Sequence, residues 1–206
     1  MKKGVVVGCA LALVAGLALA ALLVMSSYNR LVGLDEGVDS AWAQVENVYQ
    51  RRADLIPNLV ATVRGAADFE RGTLEAVTEA RAKVGQMSFE GVPDAQQFAE
   101  FQAAQGGLTQ ALSRLMVVVE RYPELRATEA FRDLQVQLEG SENRITVERM
   151  RFNEVAREFN TARRRFPTVL IANMLGFGEK PYFEATEGAE RPPTVDFSTP
   201  AAAPGS

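Results

Sequence analysis

The chain has 206 residues, 26 of them acidic and 22 basic, for a net charge of −4, with no histidine and one cysteine, Cys9. That is enough for one globular domain plus accessories. The counts argue against a basic nucleic-acid face, against metal centres built on His or Cys, against Ser-His-Asp and Cys-His nucleophile systems, and against an intrachain disulfide. No cofactor is expected, and a site made only of carboxylates stays open without any residue pattern pointing to it.

Gly4 to Met25 carries no charge and at about 1.5 Å per residue spans roughly 33 Å, the thickness of a bilayer core of about 30 Å. The run predicts a membrane anchor. A cleaved signal peptide competes, with Ala18-Leu19-Ala20 as an acceptable A-x-A site, but the apolar run continues past it. A lipidated Cys9 is disfavoured, because Gly4–Gly8 is too short for the apolar region of a signal. Lys2 and Lys3 precede the span, whereas Arg30, Asp35, Glu36 and Asp39 follow it. The basic excess predicts a cytoplasmic N-terminus and a body outside, at the bacterial inner membrane. Tyr28 suits the interfacial aromatic belt.

From Tyr28 to Phe166 the apolar residues recur at alternating three and four. The stripes are Leu31, Val38, Trp42, Val45, Tyr49; Ile56, Leu59, Val63, Leu74, Val77, Val84; Phe98, Phe101, Leu108, Leu112, Leu115, Val119; and Phe131, Leu134, Leu138, Ile145, Phe152, Val155, Phe159. This is the pattern of helices burying one face against each other. Gly91-Val92-Pro93-Asp94 separates the second and third stripes, with Asp94 and Gln97 forming a cap and box pair. Tyr122-Pro123 and Phe166-Pro167 end the third and fourth helices, and Thr128 caps the fourth. Gly106-Gly107 weakens the third helix or marks the close approach of a neighbouring backbone. Gly140 permits close packing.

The junction between the first two stripes is ambiguous. A continuous helix would outrun its neighbours and leave part of its stripe uncovered. A turn at Arg51–Asp54 makes Asp54 a cap, puts Pro57 in a first turn and makes Arg51 and Arg52 last-turn cations. It gives lengths of about 39, 50, 42 and 57 Å, which suit a bundle. Against it, the spacing runs through the junction without a phase break. The turn is the expectation.

Leu138 and Ile145 face the core seven residues apart. Ser141 or Glu142 falls between them, and Glu148 lies three residues beyond Ile145. These positions predict a buried polar layer with Arg52 or Gln105, either a register-setting network or a ligand or ion site. Trp42 is expected in the core. The apolar stretch Val169–Leu175 follows the fourth helix and should lie near the membrane. Tyr28, Leu170, Ile171, Met174, Leu175 and Phe177 are candidate membrane-interface contacts, with Tyr182 and Phe183 beside them. The competing reading folds that stretch back to cap the core. Residues 179–206 read as an irregular to disordered tail rich in Pro and Ala.

YNRLVGLDEGVDSAWAQVENVYQRRADLIPNLVATVRGAADFE, ERYPELRATEAFRDLQVQLEGSENRI, FPTVLIANMLGFGEKPYFE and PPTVDF, in that order, resemble the LemA family over nearly the whole chain. Phe152 and Phe159 stand where the family often has tyrosine, and Ser141 where it often has threonine. The resemblance implies a single-pass bacterial membrane protein with a four-helix up-and-down bundle, supports the turn at Arg51–Asp54, and implies no enzymatic activity. The family's magnetosome-membrane relative points to membrane organisation. The expected fold is therefore all-α: an anchor over 1–27, a four-helix bundle over 28–178 and a tail over 179–206. The expected function is an extracytoplasmic scaffold that binds proteins or assembles with itself. Its expected partners are the lipid bilayer, an unidentified membrane or envelope protein, or a second copy, and not nucleic acid. A secreted bundle released by signal cleavage and an enzyme with a carboxylate-only site are the alternatives.

Overall fold

The apolar spacing that begins at Leu31 continues in phase through Ile56, Leu59 and Val63, and the backbone follows it. In the computed structural model, which describes residues 2–65 and 70–184 (side chains of 2–7, 9 and 10 excepted), one helix, α1, runs Lys2–Arg64. The others are α2 Arg71–Gly85, α3 Ala95–Val119, α4 Pro123–Arg126, α5 Glu129–Arg164 and α6 Thr168–Leu175. No strand occurs among the described residues. Among the described residues six helices thus replace the expected four, two of them short.

The expected turn at Arg51–Asp54 is not there. Its apparent signals are used inside a helix. Asp54 accepts from Gln50 Nε2 one turn earlier, at 2.8 Å, instead of capping. Pro57 lies within α1, where it cannot donate to the carbonyl of Ala53 four residues back. Arg81 of α2 supplies the missing donor, its Nε 3.0 Å from Ala53 O. A freed carbonyl with a tertiary partner removes most of the reason for a break. The first break falls between Arg64 and Arg71, so the second apolar stripe is shared: Ile56, Leu59 and Val63 belong to α1, Leu74 and Val77 to α2.

The coverage problem that favoured a turn is solved by pairing the two longest elements. α5 runs antiparallel to α1, as Val155 against Gly37 and Glu142 against Arg52 show. From Leu31 onward α1 is about 51 Å long and α5 about 54 Å, so each covers the other. The shorter α2 and α3 pack beside them. Asp94 caps α3 with the box in place, Gln97 N to Asp94 Oδ1 2.8 Å and Asp94 N to Gln97 Oε1 3.2 Å. Thr128 caps α5 through Phe131 N.

Gly106, Gly107 and Gly140 lie within unbroken helices. A Cβ at any of them would meet nothing within 4 Å, so none marks a close approach of backbones, contrary to the packing reading of these glycines.

Two apolar cores result. The lower one, nearer the apolar N-terminal run, gathers Leu31, Val38, Trp42, Val45 and Tyr49 of α1 with Phe98, Phe101, Ile145, Phe152 and Phe159. The upper one gathers Ile56, Leu59, Val63, Leu74, Val77, Leu108, Leu115, Phe131 and Leu138. The described part of the segment read as the anchor, residues 2–27, continues as one helix into the lower core. One helix among the described residues is long and apolar enough to cross a membrane, and the apolar part of it is unburied.

Candidate functional site: a polar layer and a strapped base

Between the two cores each long helix places a polar residue. Arg52 is fully buried on α1. Its Nη1 donates to Glu142 Oε2 of α5 at 2.8 Å and to Thr109 Oγ1 of α3 at 3.1 Å, and its Nη2 donates to Gln105 Oε1 at 2.5 Å. The guanidinium also lies 5.2 Å from the centre of the Tyr49 ring, a cation–π distance. Three of the four residues expected in the layer, Arg52, Gln105 and Glu142, are thus joined directly. Arg52 is not a last-turn cation facing a helix end.

Glu148 is the exception. It makes no hydrogen bond to the layer, and its Oε2 is buried without a hydrogen-bond partner among the described residues. Six residues from Glu142 is nearly two turns, about 9 Å along the axis, so the two carboxylates cannot share Arg52. Ser141 points inward but satisfies itself on Leu138 O at 2.7 Å. Thr109 was missed, although it lies one turn from Gln105 on the same face.

A surface groove of about 950 Å³ opens over the layer, lined among others by Tyr49, Arg52, Gln105, Thr109, Glu142 and Arg149. Burial pushes the Tyr49 phenol up from its ordinary value of 10.0, against the pull of Arg149 and Arg52, so it stays neutral at physiological pH. Arg52 Nε and Gln105 Nε2 are buried donors without a hydrogen-bond partner among the described residues. The arrangement is a charge-neutralised guanidinium spanning three helices. A slip of register would bury the cation away from these acceptors.

A second polar system closes the base. After α6 the chain runs without helix to Glu184 and is strapped to α5 by two asparagines. Asn160 Nδ2 donates to Lys180 O (2.8 Å) and Tyr182 Oη (2.9 Å), while its Oδ1 accepts from Lys180 N (2.9 Å). One heptad earlier, Asn153 pairs both ways with the Phe183 backbone, each bond 2.8 Å. Arg163 Nε holds Phe177 O at 2.6 Å, Arg149 Nη2 holds Glu184 O at 2.8 Å, and Lys180 Nζ lies 2.7 Å from Asp35 Oδ1. Phe183 stacks on Trp42 with centroids 6.2 Å apart and is buried. Residues 179–184, grouped by sequence with the tail, therefore complete the lower core. The rest of the expected tail, 185–206, lies outside the described residues. Asn153 and Asn160 were also missed, although the repeat Phe152-Asn153 and Phe159-Asn160, seven apart, was a visible signal.

The expected membrane-interface residues divide. Ile171 is buried in protein, as is the neighbouring Phe183, so neither faces lipid. Leu170, Met174 and Leu175 are exposed on α6. Tyr28 is half-exposed and meets the half-buried Phe177 edge-on at 6.3 Å.

The family model that matches the chain is that of the LemA family, over residues 41–197. The chain is 26% identical over 183 residues to the magnetosome protein MamQ of Magnetospirillum gryphiswaldense, covering 80% of this chain and 67% of that protein. It is 25% identical over 184 residues to the magnetosome protein MamQ 2 of Paramagnetospirillum magneticum, with the same coverage. It is 21% identical over 159 residues to the protein LemA of Metamycoplasma hominis, covering 77% of this chain and 69% of that one. The family match spans the lower core from Ala41 onward, the polar layer, the upper core and the strap, and the chain belongs to the LemA family.

Proposed function

We propose that the protein is a single-pass scaffold of the bacterial inner membrane. It holds a rigid helical body on the extracytoplasmic side, where that body binds other proteins or copies of itself. The observation that carries this reading is the unbroken α1, which joins the apolar segment and both cores with no linker between them. A flexible tether would let the body search; a continuous helix gives it one height and one orientation on the membrane, which suits a positioning role. The similarity to proteins named for the magnetosome supports a part in membrane organisation. The names of these relatives describe no enzyme, and no catalysis is assigned. Lys2 and Lys3 ahead of the span, and acidic residues after it, support the outward orientation.

Two measurements test this. Protease added to spheroplasts should digest the body while cytosolic markers survive; protection of the body until the inner membrane is lysed reverses the topology. The same blot reads anchor retention, since cleavage after Ala20 would release a shortened soluble form. Photo-crosslinking in intact cells, from positions on the exposed faces of α2 and α3, should yield discrete adducts. A chain that stays uncrosslinked at every position overturns the scaffold role.

A further inference from the structure

Tyr28 lies three residues past Met25, the last residue of the uncharged run, or about 5 Å along the helix. Its ring meets Phe177, so α6 is held at the level where the span leaves the hydrocarbon. The helix shows two faces there. Ile171 and Ala172 are buried against the body, while Leu170, Met174 and Leu175 are exposed, with Phe166 beside them 81% exposed. Eight residues are too few to span a bilayer, but an apolar face at this height meets lipid sooner than water.

A second observation comes from another side of the base. Arg30 of α1, Arg157 of α5 and Arg165, just past the end of α5, line one groove of about 370 Å³, with Glu158 as its acidic member. Arg30 is five residues past Met25, about 7 Å further along α1, and Arg165 immediately follows α5. Three guanidiniums against one carboxylate make the groove basic; Arg30 and Arg165 form its lower end, near the exit point of the apolar run, and Arg157 lies about 12 Å further up α5.

We propose that the base of the body docks on the surface of the membrane that anchors it: the exposed face of α6 sits among the upper acyl chains, Arg30 and Arg165 bind the phosphates of anionic phospholipids, and Arg157 adds to the positive field above them. Its occupant is lipid because both features surround the exit point of the apolar helix. The inference rests on the reading of α1 as a membrane span.

The test uses the full chain in lipid nanodiscs. A polarity-sensitive dye is attached at Leu175→Cys in a Cys9→Ala background, with Val136→Cys, an exposed site on α5 level with the upper core, as the control. Lipids brominated near the carbonyl end of their chains should quench the dye at 175 and leave the dye at 136 bright. Exchanging part of the phosphatidylcholine for phosphatidylglycerol should deepen the quench at 175, and the triple substitution Arg30→Gln, Arg157→Gln, Arg165→Gln should remove that dependence. A dye at 175 that is blue-shifted yet unquenched packs on protein and overturns the lipid face. Self-quenching between labelled chains, without bromine quenching, assigns the face to a second copy and overturns it too. A quench that ignores phosphatidylglycerol in the unsubstituted chain overturns the arginine half. Failure of the chain to enter the nanodiscs refutes the span itself, and is read separately from co-elution with the disc.

Discussion

The lower and upper cores are built from the same helices by different means. The lower one is aromatic: Phe89, Phe98, Phe101, Phe152 and Phe183 surround Trp42 at centroid distances of 5.3 to 6.2 Å. Two of those rings, Phe89 and Phe183, come from segments with no helix. The upper core is almost entirely aliphatic, with Phe131 its one buried ring, and every buried side chain in it comes from a helix. Large rings leave irregular gaps that need atoms from several directions, so the lower core recruits a loop and the strap. Aliphatic side chains at three-four spacing fill their layer from helix surfaces alone. The base of the molecule is therefore closed partly by non-helical segments, and the top by helix surfaces alone.

The largest effect should come from Trp42→Ala, which removes the hub of the lower core. A loss of about 4 kcal/mol is expected in urea unfolding of the full chain in detergent, followed by far-UV circular dichroism. Leu59→Ala, at the corresponding place above, should cost about 3 kcal/mol by the same measure. Equal losses would mean that the ring cluster adds nothing beyond burial, and the contrast between the cores would lapse.

The layer between the cores comes next. Arg52→Ala leaves Gln105 buried without its donor and should cost about 3 kcal/mol. Glu142→Gln should cost less than about 1 kcal/mol, because Glu142 is half-exposed and water screens its charge. If the two costs match, the pair behaves as a buried ion pair rather than as a cation held mainly by neutral acceptors.

Asn160→Ala tests the strap. It removes three hydrogen bonds to residues 180–182 at a cost of about 2 kcal/mol. It should also raise amide hydrogen exchange across 177–184 while the upper core stays protected. Exchange that rises equally in both cores would show one cooperative unit in place of two.

The smallest expected effect is at Glu46. Burial raises its carboxyl above the ordinary 4.5, with the Trp42 indole pulling the other way. A carboxyl raised on folding supports the native state below its unfolded pKa and loses that contribution as pH rises through the folded value. Glu46→Gln should therefore raise the melting temperature slightly at neutral pH, and the gain should vanish below pH 4.5. A gain that persists in acid would place its origin in packing.

The stripes, the Asp94 box, the Thr128 cap and the apolar run were legible in sequence because each is written in residues three to seven apart. The course of α1 was not. Arg51-Arg52, Asp54 and Pro57 look locally like a helix end, and what cancels that reading is Arg81, 28 positions away from Ala53. Gly65, directly after the last residue of α1, was an unread local signal for the true end. In the polar layer the seam at Glu142 and the buried Arg52 could be placed by phase, whereas Glu148 was misassigned because phase alone ignores axial distance. Phe183 was invisible as a core residue, since no periodicity reaches past Gly178. The paired Phe-Asn dipeptides of α5 were its trace, as side-chain amides spaced to hold an extended backbone.

With α1 taken as the membrane span proposed above, its stretch from Met25 to Arg64 extends about 58 Å beyond the apolar run as one stiff lever. Transmembrane helices adjust to bilayer thickness by tilting, and a tilt of about 20° displaces a point that far out by about 20 Å. A change of a few ångströms in the membrane is thereby magnified at the distal end, unless the base is seated firmly enough to resist the torque. On that reading the unbroken helix turns local bilayer thickness into a displacement at the top of the body.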